Sequence, residues 1–155
     1  MKKAGILFLA VLMAGTALYA QQEGYLELLR SDLRTQKVAI VAVNMGLTDA
    51  QGQVFWPIYR KYEAELTTLN DQTVALIKDY AQNYEKMTDA KADALTKQVF
   101  AIQGTRLKLQ EKYYDEFAKA LGPVLAAKYM QIERQVTAAV DLQISSQIPL
   151  VKKTN

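Results

Sequence analysis

Between Gly52 and Gly104 the chain contains no glycine and a single proline, Pro57. A run of that length, rich in Ala, Leu, Glu, Lys, Gln and Tyr at helical spacing, leaves long helices as the economical conformation. Beyond the first twenty residues, glycine stands only at Gly24, Gly46, Gly52, Gly104 and Gly122, and proline only at Pro57, Pro123 and Pro149. These positions separate segments more than they interrupt them. The reading is all-α: a four-helix elongated antiparallel hairpin or bundle.

The first helix is predicted from Glu23 to Met45, with Tyr25, Leu29, Leu33, Ile40 and Val43 near one face and Gly46 as its stop. Its run Val38-Ala39-Ile40-Val41-Ala42-Val43 is apolar on every side. It reads either as a strand or as a helix buried almost all round. The second helix opens at Thr48-Asp49-Ala50-Gln51, a capping box: the Thr hydroxyl accepts from the Gln51 amide while the Gln51 side chain reaches back to the Thr48 amide. Leu47 precedes it as a hydrophobic staple. The stripe Phe55, Ile58, Tyr62, Leu66, Leu69, Leu76, Ile77, Tyr80 and Tyr84 carries this helix over about 37 residues, roughly 55 Å. Pro57, which lacks an amide donor, is expected to bend it.

The third helix is predicted from Thr88 or Asp89 to Leu121. Leu95, Val99, Ile102, Leu109, Tyr113 and Phe117 share one face, and Arg106 snorkels to its edge. The short Met87-Thr88 link makes the second and third helices antiparallel neighbours. Gly122-Pro123 starts the fourth, with Pro at the first helical position. Its apolar residues are Val124, Leu125, Met130, Ile132, Val136, Val140 and Ile144. The segment Ser145 to Asn155 is expected to be an extended, flexible tail.

Lys2-Lys3, the apolar run Ile6 to Met13 and the small Ala20 before Gln21-Gln22 have the layout of a secretory signal peptide over residues 1–20, cleaved after Ala20. The apolar run is too short to span a membrane well. Cleavage leaves 135 residues, enough for one helical domain over 21–145, and 17 basic against 16 acidic residues. A net charge of +1 with no basic patch argues against nucleic acid as a partner. No integral span remains once the signal is removed.

The chain has no cysteine and no histidine. Disulfides therefore contribute nothing in an oxidising compartment, and no lipid can be anchored on a mature cysteine. Zinc and copper sites, ferritin-like di-iron sites and His-dependent nucleophilic sets lose their ligands or bases. Paired carboxylates could still serve a glycosidase, but the acids lie on solvated helix faces in a chain with few loops. No enzyme, no metal and no cofactor is the expectation.

Leu47-Thr48-Asp49-Ala50-Gln51 matches the pattern Leu-Thr-x-x-Gln at a helix start in a small exported helical chain. With Met45-Gly46-Leu47-Thr48 and Phe55-Trp56-Pro57-Ile58-Tyr59-Arg60, it resembles an uncharacterised branch of the Spy/CpxP family of periplasmic stress proteins and chaperones. The resemblance spans residues 25 to 145. It implies a periplasmic four-helix protomer, a homodimer, and ATP-independent binding of unfolded or envelope proteins. The family's second motif is not matched. Met87-Thr88-Asp89-Ala90-Lys91 lacks the Leu and the Gln, and no histidine carries over a metal-responsive role.

Phe55, Trp56 and Tyr59 cover more than one helix face, which makes them the candidate partner or dimer contact, with Trp56 foremost. Three other readings stand beside a holding chaperone. One is a regulator docking on an envelope sensor, and another is a structural oligomer or membrane-surface protein. The third is a Skp/OmpH-like chaperone, which demands a strand over Val38 to Val43.

Overall fold

The computed structural model describes residues 34–152. Among them lie four α-helices and no strand: α1 over residues 34–45, α2 Asp49–Asn83, α3 Asp89–Leu121 and α4 Pro123–Gln147. A 3₁₀ turn, Tyr84–Lys86, follows α2. The predicted signal peptide, its predicted cleavage site and the predicted start of the first helix at Glu23 lie outside the described residues. No helix among the described residues is long and apolar enough to cross a membrane.

The chain divides between Val43 and Asn44. On the first side, residues 34–43 are helical, so the strand required by a Skp/OmpH-like fold is not there. Nor is the helix buried all round: Val41 is fully buried, whereas Val38, Ile40 and Val43 are exposed. β-branched residues disfavour a helix by only a few tenths of a kcal/mol each, and the surrounding helix formers outweigh that preference.

On the second side, α1 ends at Gly46 in a left-handed conformation, φ +59°. Glycine adopts it without the Cβ clash that other residues suffer. Lys128 of α4 donates to the Met45 carbonyl at 3.0 Å, satisfying an acceptor that the helix end leaves open. The α2 helix then runs through Pro57 unbroken. The missing amide deprives only the Gln53 carbonyl, and both residues are exposed to water.

Cross-helix partners set the topology. Residues Asp79, Asn70, Glu65 and Phe55 of α2 meet Lys91, Arg106, Lys112 and Phe117 of α3 in reverse order, so the two helices are antiparallel. Phe55, Tyr62 and Tyr80 meet Tyr129, Glu133 and Pro149 in the same order, so α4 runs parallel to α2. The reversal between α3 and α4 takes one residue, Gly122, at φ +89°.

Aromatic rings fill the core where the three helices meet. Phe55 stacks on Phe117 with ring centres 5.0 Å apart, and Tyr129 meets both edge-on or tilted, at 5.2 and 4.7 Å. Tyr62 packs against Tyr113 at 5.3 Å. Such pairs add about 0.5–1.5 kcal/mol each beyond area burial. Among them lies Glu133, only 1% exposed. Its Oε1 accepts from Tyr62 Oη at 2.9 Å and from Thr137 Oγ1 at 3.4 Å. Burial, reinforced by the Glu133 charge, pushes the Tyr62 and Tyr129 hydroxyls far above their ordinary range, so both stay protonated. Tyr129 Oη, although buried, has no hydrogen-bond partner among the described residues.

The inward face of α4 is Ala126, Tyr129, Ile132 and Glu133; of the residues predicted for it, Ile132 alone is fully in the core. Val124, placed in the core by its apolarity, is 82% exposed. Val136 and Val140 are only half-buried. Apolarity alone does not find Glu133, which is buried beside the Tyr62 hydroxyl that donates to it. The predicted tail differs as well. The α4 helix extends to Gln147, and the residues that follow are tied to the end of α2 by Tyr80 and Glu85.

Two outcomes follow from the core. Tyr62→Phe removes a donor from a buried carboxyl and should cost about 1–3 kcal/mol, whereas Tyr129→Phe removes an unsatisfied hydroxyl and should be neutral or stabilising by up to about 1 kcal/mol. Urea midpoints at constant m-value will separate the two.

A pH dependence is also built in. Lys112 Nζ lies 2.7 and 3.0 Å from the two Glu65 oxygens, and Tyr113 Oη donates to the same carboxylate at 2.7 Å. The Lys112 bond first, and the Tyr113 bond second, hold the Glu65 carboxyl below its usual 4.5. A depressed folded value means that its contribution is present above pH 4.5 and is lost as pH falls through the lowered value. Glu65 is about half exposed, so the effect should stay below ~1 kcal/mol. The stability gap between wild type and Glu65→Gln, followed by denaturant titration, should close on acidification below that point.

Candidate binding surface

The capping box of α2 forms as its spacing requires. Thr48 N–H donates to Gln51 Oε1 at 3.0 Å, and Gln51 N–H donates to Thr48 Oγ1 at 3.3 Å. Leu47 is half-buried beside it. These three residues act on the backbone: two orphan amides find acceptors, and the helix start is anchored. Thr88 caps α3 in the same manner, accepting from Lys91 N–H at 3.2 Å. Lys91, standing where a capping box would have Glu or Gln, turns instead to Asp79 at 2.7 Å.

The three aromatic residues after the box divide between core and surface. Phe55 and Tyr59 are buried in the protomer, at 0 and 4% exposure. Tyr59 packs edge-on to Tyr129 at 5.9 Å, and burial raises its hydroxyl well above the ordinary range. Trp56 is half-buried, held edge-on by Phe55 at 5.1 Å and Tyr59 at 5.3 Å. Gly52, one turn earlier, leaves room at its edge: a methyl group there would lie 3.7 Å from the indole. The ring is thus fixed by the core yet partly open to solvent.

A second surface lies on α3 and α4. Phe100, Leu107 and Tyr114 recur every seven residues on α3, and seven residues bring a helix back to within about 20° of one direction. All three are exposed, Phe100 at 65% and Leu107 at 57%. Leu107 and Tyr114 form one wall of an open groove of about 550 Å³, and Met130 and Ala138 of α4 line the other. Arg106, Glu111, Arg134 and Asp141 stand along it, so both signs of charge border apolar surface. Arg106 Nη2 lies 3.0 Å from Asn70 Oδ1 of α2. Trp56 does not line this groove.

The stripe escapes a periodicity search for the core because it lies about a third of a turn around α3 from the face of Leu95, Tyr113 and Phe117. The heptad recurrence of Phe100, Leu107 and Tyr114 was a signal available to find it. No protein-family model matches the chain, and comparison with curated proteins and with solved structures likewise finds no match.

The cap has a measurable weight. Thr48→Ala should destabilise the protein by about 1 kcal/mol, and Gln51→Ala by less. The double variant should fall short of the sum, because each substitution already breaks the reciprocal pair. Thermal or urea denaturation of the three variants tests this.

Proposed function

We propose that this chain is an exported holding protein that binds unfolded or partly folded polypeptides without nucleotide. The observation that carries the reading is the exposed stripe Phe100, Leu107 and Tyr114, bordered by charges of both signs. Large apolar side chains aligned in water mark a surface that gains by being covered. Tyr, Met and Leu adapt to varied partners, because thioether and aromatic surfaces tolerate many packing arrangements. The flanking charges keep the scaffold soluble and let a client leave.

The secretory leader supplies the compartment, and the Leu47 to Gln51 resemblance to Spy/CpxP proteins supplies the precedent. In the periplasm, where nucleotide does not drive release, weak binding in many poses is the serviceable mode. Trp56, rigid and partly open, is the residue of choice for a contact between two copies of the protomer.

Micromolar protein should suppress the aggregation of a reduced, unfolded client, read by light scattering. Phe100→Ser with Leu107→Ser removes only exposed side chains and should leave stability within about 0.5 kcal/mol while weakening suppression several-fold. Folded wild-type protein that gives no suppression would remove the holding role, and an unimpaired double variant would remove the stripe.

A further inference from the structure

The segment after α4 does not leave the molecule. Ile148 is extended, φ −93° and ψ 116°, as a residue before proline prefers, and residues 149–152 continue without helix. Tyr80 Oη donates to the Pro149 carbonyl at 2.7 Å. Three residues on, Lys152 Nζ lies 4.6 Å above the centre of the Tyr84 ring and 2.9 and 3.2 Å from the Glu85 carboxylate oxygens. The Tyr80 and Tyr84 rings form one surface, their centres 5.7 Å apart.

The contacts are selective in kind. Leu150 is 90% exposed and Val151 is also exposed, so the side chains between the two anchor points are not read. What is read is a backbone carbonyl at a proline and a cation three residues later. Tyrosine hydroxyl, aromatic face and carboxylate are the groups that recognise an extended peptide with a basic residue. Each contact is solvent-exposed and individually weak, so the segment can exchange with another chain. Its tether gives it an effective concentration on the order of mM, which a free peptide must overcome.

We propose that Tyr80, Tyr84 and Glu85 form a recognition site for extended polypeptide that offers a backbone carbonyl and, three residues later, a lysine. The chain's own residues 149–152 fill it as an internal competitor. The site is separate from the α3–α4 groove and stands whether or not that groove holds clients.

The test uses the full chain and a fluorescent peptide of residues 147–152, read by anisotropy. Lys152→Glu places like charge at Glu85 and releases the internal segment. This released protein should bind the peptide at least about tenfold more tightly than wild type, because the tethered competitor has gone. Adding Tyr84→Ala to the released protein should abolish the gain. Adding Glu85→Gln instead should weaken binding with the ring pair intact, and circular dichroism will establish that each variant keeps its helices. Equal affinity for wild type and released protein, no binding to either, or a gain that survives Tyr84→Ala would overturn the proposal.

Discussion

A carboxyl group buried among tyrosines joins the helices of the second unit. Glu133 comes from α4, its nearest donor Tyr62 from α2, and Tyr113, the ring against Tyr62, from α3. A buried carboxyl that loses a partner is costly, on the order of several kcal/mol when the charge is left uncompensated. That cost makes other helix registers expensive. Sliding α4 by one turn would carry Glu133 away from the Tyr62 hydroxyl, and rotating it would bring exposed Val124 inward. The apolar rings supply most of the burial energy, and the polar contact selects which burial occurs.

That choice determines the outer surface. With Leu109, Tyr113 and Phe117 turned inward, Phe100, Leu107 and Tyr114 project from α3 towards solvent. On α4, inward Tyr129 and Glu133 leave Met130 and Arg134 on the groove. The exposed stripe is thus the other side of the aromatic core, and no helix of the second unit covers it among the described residues. Near the start of α2 the same logic applies to Trp56, which is displaced outward because Phe55 and Tyr59 take the two inward positions.

Much of this was legible from residue order. The bounds of α2, α3 and the start of α4 followed from Thr48, Thr88 and Gly122-Pro123, because capping and proline chemistry act within one turn and need no tertiary partner. Leu66, Leu69, Tyr113 and Phe117 were placed inside by periodicity. The inward face of α4 was not legible, since hydropathy assigns glutamate to water and has no term for a hydroxyl waiting on another helix 71 residues away in the chain. The course of residues 148–152 was hidden for the same reason: Tyr80 and Glu85 become partners only after two chain reversals bring them back.

Local order by itself determined that the chain is helical, where its helices start, and that it lacks the thiol and imidazole groups on which many catalytic sites depend. These depend on backbone sterics, capping and composition, all of which act over a few residues. Tertiary structure alone decided that α4 turns Tyr129 and Glu133 inward, that Tyr59 joins the core while Trp56 stays partly open, and that the apolar stripe of α3 faces water. Those outcomes depend on pairing groups far apart in sequence, where the desolvation of one carboxyl outweighs the apolarity of any single valine.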